Sequence, residues 1–444
     1  MTKVDFLIVG GSAAGTTAAE VIRGLKPDAT ITIVTDEDHE EYSRVLIPHY
    51  IRHKVTREQV FLKKIPWYEE KAIGLIRAVR AIKLDSANHK VTLDNGEVVQ
   101  YGKLLISVGG KVIPFGVPGA DLGNIFYMRT IGDADNIVKG IKGAKNAIVV
   151  GGGFIGLEFA HSFKVNGVEN VTVLVMEPFF WQGKLDEDSA KVLTDVLESN
   201  GVKILTNEQV ERFESSDRHS GPLRRSDSEA SLSRIDSGVA SLPRMTSSVG
   251  SVITKSGKTL PAEIVGIGVG IKSDLGFLEG SGIEIGRAIV TNEYLETNLP
   301  DVYAAGDCAE FKDVIFQIQH ILGNWANATS QGSAVGKTMA GEKAVFATAS
   351  SYSITFFNGS CSFIGVTDAE YAEETITRGT VAEGKMTRIF IKTIDGVMRI
   401  VGATVINNPM EVGPLTSVIK GKVDVAAKKD QLGSNEFDLR DLNS

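Results

Sequence analysis

One unit occurs twice in this chain and limits what it can fold into. The unit is an apolar strand, a glycine turn, a helix, a second strand and then an acid. In the first copy, residues 4–9 (VDFLIV) form an apolar run with β-branched members, the pattern of a strand buried on both faces of a parallel sheet. Gly10-Gly11-Ser12-Ala13-Ala14-Gly15 follows, then the helical stretch TTAAEVIRGL, the β run ATITIV and Thr35-Asp36-Glu37. In the second copy NAIVV (146–150) runs into Gly151-Gly152-Gly153-Phe154-Ile155-Gly156, then LEFAHSFKVNG, VTVLVM and Glu177. Asp36 stands 26 residues after Gly10, as Glu177 does after Gly151. One glycine fingerprint is a weak signal. Two in full context with equal stride predict two dinucleotide sites.

The chemistry needs this order. Small residues at 10, 12 and 15 allow a tight turn, close approach of backbone to a pyrophosphate, and close helix–strand packing. The helix N-terminus offers free N–H groups and partial positive charge to the phosphates, which brings Ala13 and Ala14 into the site with Gly10, Ser12 and Gly15. Ser12 replaces the usual middle glycine. Asp36, with Glu37 beside it, would accept hydrogen bonds from an adenosine ribose. In the second copy Gly151, Gly153, Phe154, Ile155 and Gly156 take the same places. Glu177 faces the 2′ side of the ribose, where a carboxylate accepts a 2′-OH and repels a 2′-phosphate. No Arg follows in EPFFWQGKLDED, and the nearest base is Lys184. The expectation is NADH in preference to NADPH, unless Lys184 or a distant Arg receives the phosphate.

Composition excludes several classes. Two Cys in 444 residues cannot build a disulfide framework, a zinc ribbon or an iron–sulfur cluster, so no metal site is expected. A net charge of −8 argues against nucleic acid as the main partner. The apolar run at the N-terminus is shorter than a secretory signal and turns into Gly-Gly-Ser. No window approaches the ~20 apolar residues of a membrane helix. The expectation is a soluble, cytoplasmic protein.

With these motifs, nearly the whole chain resembles the FAD-dependent pyridine nucleotide-disulfide oxidoreductase family. It looks most like the branch of rubredoxin and ferredoxin reductases, NADH oxidases and the nitrite-reductase flavin module. The resemblance implies an α/β fold with two Rossmann-like domains, one for FAD (1–115 and 270–343) and one for NAD(P)H (116–269), and a C-terminal α+β domain (344–444) that often forms a dimer interface. LLISVGGKVIPFGVPG (104–119) resembles the crossing strand, with Ser107-Val108-Gly109 in place of Ala-Thr-Gly. AEIVGIGVGIKSDL (262–275) resembles the return strand. TNLPDVYAAGDCAE (297–310) resembles the second FAD motif, which gives Asp307 a bond to the ribityl or phosphate part. GNWANATSQG (323–332) resembles the segment that meets the flavin, with Trp325 near its ring.

The departures carry the mechanism. No Cys-x-x-x-x-Cys or Cys-x-x-Cys pair exists, and Val45 stands where the NADH oxidase branch keeps a single Cys. Tyr42-Ser43-Arg44 resembles a segment that places Arg44 near the FAD pyrophosphate or flavin edge. In relatives a base five residues on pairs with the Glu of the second glycine helix, near flavin N5. Here these are His49 and Glu158, a pair that would hold nicotinamide and flavin in geometry; otherwise His49 is a loop residue. Phe154 matches an aromatic that gates the nicotinamide pocket, or packs against the sheet.

Residues 215–250 interrupt the second domain. They are Ser- and Arg-rich with no aromatic residue, the composition of a flexible hairpin tip. Their Arg-x-x-Ser-like spacings leave phosphorylation or partner docking open. In the tail, strands are expected at SYSITFF, CSFIGV, MTRIFIKT and MRIVGATVI, with helices at DAEYAEE and VGPLTSVIKG. The reading is an NADH-dependent FAD oxidoreductase that passes electrons from flavin directly to a small carrier protein or a small-molecule acceptor. The alternatives are a peroxide-forming NADH oxidase, a redox-sensing FAD/NADH protein with little turnover, or a subunit of a larger complex.

Overall fold

A computed structural model describes residues 2–216 and 247–443. The first nucleotide unit is a seven-stranded sheet. Its parallel part runs Ile73–Ile76, Ile31–Val34, Thr2–Val9, Val98–Ile106 and Val302–Ala304. Register follows the apolar runs: Phe6 lies beside Ile31, and Leu7 beside Leu104. Leu7 and Ile8 are fully buried, as a strand covered on both faces requires. The helices Ala13–Leu25 and Trp325–Met339 pack against each other.

The second unit repeats the plan with five parallel strands in the order Val202–Leu205, Asn170–Leu174, Asn146–Val150, Ile264–Ile267, Ile125–Tyr127. Its glycine helix is Phe154–Val165. The two crossings between units pair with each other, Lys111–Val112 against Ile271–Lys272, so a short antiparallel ribbon ties the units beside the site. An antiparallel meander, Val210–Ser215, Val249–Thr254 and Thr259–Pro261, closes the second unit. Ser215, Val249 and Gly250 therefore belong to strands; the expectations for the loop itself fall mostly on residues 217–246, outside the described residues.

The C-terminal domain is a five-stranded antiparallel sheet with the helix Val412–Gly421 against it. DAEYAEE is not a helix. Asp368 instead accepts the backbone N–H groups of Glu370 and Tyr371 in a turn, and the chain then enters the edge strand Glu374–Thr380, unforeseen in the sequence. The Asp368 side chain bonding to the backbone two residues on competes with a helix start there. The sheet also packs on the second nucleotide unit: Phe356 and Phe363 share one core with Phe159, Phe180 and Leu193. That contact carries C-terminal side chains to the candidate site.

Candidate functional site

The two units meet over a cavity of about 870 Å³, and a second cavity of about 390 Å³ lies within the first unit. Ser12, Arg44, Ser107 and Val108 line both, so the two spaces adjoin at the start of the first glycine helix. The turn explains why. Gly10 has φ +116°, and a Cβ there would lie 2.2 Å from the Ser107 carbonyl oxygen. A Cβ on Gly15 would lie 1.9 Å from the Gly10 carbonyl oxygen. The second turn repeats this: a Cβ on Gly156 would lie 2.0 Å from the Gly151 carbonyl. Ser12 makes no side-chain cap, which leaves the first N–H groups of the helix aimed at the junction.

The small cavity suits the nucleoside end of a dinucleotide. Gly10, Asp36 and Glu37 line it, opposite an apolar wall of Val79, Ala81, Ile82 and Phe277. Lys111 Nζ stands 3.7 Å from Asp36 Oδ2 and 3.0 Å from Asp274. Glu37 has other partners: the Arg44 guanidinium and the Tyr42 hydroxyl both donate to it. Burial alone would raise its pKa, but Arg44 and Tyr42 outweigh burial and hold the carboxyl below its usual range.

At the junction the sequence reading missed a residue. Arg129 donates to the Gly110 carbonyl at 3.1 Å and lies 3.4 Å from Asp307 Oδ2. Its carbonyl accepts from Arg44 at 2.7 Å. Two guanidiniums thus flank the helix N-terminus, the charge needed for a pyrophosphate. The available signal was the capping box that follows, in which Thr130 and Asp133 exchange hydrogen bonds and fix the start of a helix.

The large cavity holds the remaining predicted residues of the first unit: Ala13, Ala14, Gly109 (φ +63°), Asp307 and Trp325. Trp325 opens its helix beside the Asn324 cap. From the second unit come Phe154, Ile155 and Glu158. Glu158 pairs with Arg52, not with His49. Burial raises the Glu158 pKa and Arg52 opposes the rise. His49 is half-buried one turn earlier, lines neither cavity, and has its pKa lowered by burial, Arg52 and Lys54. Phe154 lies against the Trp181 ring at 4.4 Å and against two rings of the C-terminal sheet, Tyr352 at 4.8 Å and Phe363 at 5.6 Å. Gly151, Gly153, Gly156 and Glu177 line neither cavity, whereas Lys184 lines the large one. Glu177 makes no ion pair among the described residues.

Val45 lines the large cavity and is 55 % exposed, whereas Cys308 and Cys361 are fully buried. Burial pushes the Cys308 thiol up to about 12 and raises Cys361 as well. Neither thiol reaches a cavity. Among the described residues no cluster of three metal-ligating side chains exists, and no helix is long and apolar enough to cross a membrane. The paired glycine turns, two arginines and an aromatic-walled cavity fit an FAD with a nicotinamide dinucleotide brought against its ring.

Comparison with known proteins agrees with this architecture. The family model described as pyridine nucleotide-disulphide oxidoreductase matches residues 4–332. The NADH-rubredoxin oxidoreductase of Clostridium acetobutylicum is 30 % identical over 346 residues, 78 % of this chain and 77 % of that protein. The nitrite reductase [NAD(P)H] of Bacillus subtilis is 30 % identical over 317 residues, 71 % of this chain, which spans only 36 % of that protein. The reductase in the crystal structure of the covalent putidaredoxin reductase–putidaredoxin complex superposes with a TM-score of 0.86 at 22 % identity, over 100 % of this chain and 99 % of that one.

Proposed function

The chain belongs to the pyridine nucleotide-disulphide oxidoreductase family, and from that premise we propose that it carries electrons from NADH through FAD to a one-electron acceptor, with no protein thiol in the path. It is an NAD(P)H-dependent flavin oxidoreductase. FAD, when bound, converts a two-electron donor into a source of single electrons. The chain's residues supply the rest. The N-terminus at Ser12, with Arg44 and Arg129, would take the pyrophosphate, and Asp36 the adenosine ribose. Asp307 and Trp325 would border the flavin end. Glu158, held by Arg52, and Phe154, held by its aromatic neighbours, would fix the nicotinamide against it. Glu177 favours NADH over NADPH.

One observation carries the acceptor reading: Val45 occupies the cavity wall and both thiols are sealed in the core. Electrons that reach the flavin must leave from it. The named relatives that reduce rubredoxin and putidaredoxin support a small carrier protein as acceptor. A reducing, cytoplasmic setting and a homodimer through the C-terminal sheet belong to the same proposal; sedimentation of the purified protein tests the latter. The central test is rapid mixing with NADH, NADPH and then a panel of acceptors, with and without oxygen. Fast bleaching by NADH and turnover with a one-electron carrier are expected. Peroxide as the sole product would make the protein an oxidase, and a long-lived charge-transfer complex without turnover would make it a sensor.

A further inference from the structure

We propose that His320, oriented by Asp313, is the residue through which a proton leaves the large cavity when electrons pass to one-electron acceptors. The inference rests on the acceptor reading above. The observation is a buried carboxylate–imidazole pair on the cavity wall. The Asp313 side chain is 1 % exposed, and its Oδ1 accepts the backbone N–H groups of Ile315 at 2.9 Å and Phe316 at 3.2 Å, which fixes the carboxylate. Its Oδ2 lies 3.3 Å from His320 Nδ1. A carboxylate can only accept, so Nδ1 carries the proton in this contact and Nε2 is left for the other side of the ring. Nε2 has no partner among the described residues. The ring is seated against Phe311 at 5.8 Å and edge-on to Phe316 at 6.3 Å. His320 is the only imidazole lining the large cavity among the described residues, and its side chain is 16 % exposed.

The other groups at this end are already engaged. Arg287 Nε lies 3.4 Å from Glu310, and its Nη2 3.4 Å from the Gln319 carbonyl. The Tyr371 hydroxyl donates to the Phe316 carbonyl, Asp368 caps its own turn, and Lys422 donates to the Val314 carbonyl. Deeper in, Asp307 faces Arg129 and Glu158 faces Arg52; Lys184 lines the NADH side. The reaction needs a group that none of these supplies. A hydride from NADH brings one proton and two electrons. Two one-electron acceptors take the two electrons and no proton, so one proton must reach solvent in each turnover. The imidazole, held by Asp313 at Nδ1, leaves Nε2 to accept that proton and hand it to water.

The test compares the FAD-loaded wild type with His320→Gln and Asp313→Asn. Rapid mixing in H2O and in D2O should show a solvent isotope effect on reoxidation of the NADH-reduced wild type, because a proton must leave as the electrons pass out. That effect should change in His320→Gln and in Asp313→Asn, since each removes one member of the pair. In rapid mixing, reoxidation by ferricyanide should slow in His320→Gln by about tenfold or more relative to reduction by NADH. If the wild type bleaches with NADH and the variants keep both its isotope effect and its ratio of rates, the His320 inference is overturned and the acceptor reading stands. If NADH does not bleach the wild type, the acceptor reading falls and takes the inference with it.

Discussion

Arg52→Met isolates the ion pair that joins the two units. Arg52 follows the short helix Ile47–Ile51 of the first unit, and Glu158 sits in the glycine helix of the second. Their side chains are 2 % and 17 % exposed. Methionine keeps most of the apolar stem and removes the charge. Glu158, already pushed up by burial, then loses the one cause that lowers it. An unpaired carboxylate here can escape by taking a proton, so the cost of leaving it uncompensated is capped. Protonating a carboxyl of ordinary pKa about 4.3 costs about 3.7 kcal/mol at pH 7, about 1.36 kcal/mol per pH unit. At pH 5 the cap falls to about 1 kcal/mol. The sign follows from linkage: the folded variant binds a proton that the unfolded chain has released, so its stability declines as pH rises above about 4.3. In the wild type Arg52 opposes the rise, so the slope is smaller. Thermal unfolding of the FAD-loaded protein, at fixed FAD, reads this as about 4 °C lost at pH 7 and about 1 °C at pH 5, at about 2.1 cal/mol/K of unfolding entropy per residue. Arg52→Met/Glu158→Gln should recover most of the loss at pH 7, because no charge remains buried. A deficit that is flat between pH 5 and 7, or a double variant no better than the single one, would refute the reasoning.

Gly10→Ala should yield protein without bound flavin, since the new Cβ would lie 2.2 Å from the Ser107 carbonyl oxygen; flavin absorbance after gel filtration reads this. Gly156→Ala should keep FAD and raise the KM for NADH by about tenfold or more, because its Cβ meets the Gly151 carbonyl at 2.0 Å and displaces the second helix N-terminus. Gly24→Ala, in open space on the first helix, should instead stabilise by about 0.5–1 kcal/mol in the same melts. Cys308→Ala and Cys361→Ala should each keep turnover within about twofold and lose about 1–2 kcal/mol of stability through the small cavity left. A loss of turnover beyond tenfold with FAD retained would restore a thiol to the path.

What the sequence revealed and what it hid divide along a physical line. The central parallel strands, the two glycine turns and the crossings were legible because each is written locally: a buried parallel strand must be apolar throughout, and each fingerprint glycine meets a carbonyl that excludes a Cβ. Asp36, Asp307, Trp325, Phe154 and Glu158 came to the cavities with those elements. Arg129 was hidden because its role is set by Arg44, 85 residues away along the chain. The partner of Glu158 was hidden for a subtler reason. His49 and Arg52 are three residues apart, so a helical turn places both on one face toward the second unit, and spacing alone cannot rank them. Charge can. Glu158 is buried, and a buried carboxylate needs a permanent cation more than it needs an imidazole that titrates near neutrality. Arg52 therefore takes the inner position, and His49, beside two cations, is held toward its neutral form. Asp313 is buried as well, and its partners differ. Asp313 already accepts two backbone N–H groups, so an imidazole suffices at its free oxygen. Glu158, with no backbone donor among the described residues, is held by an arginine that fixes its geometry, whereas Asp313, satisfied by two backbone N–H groups, holds a histidine.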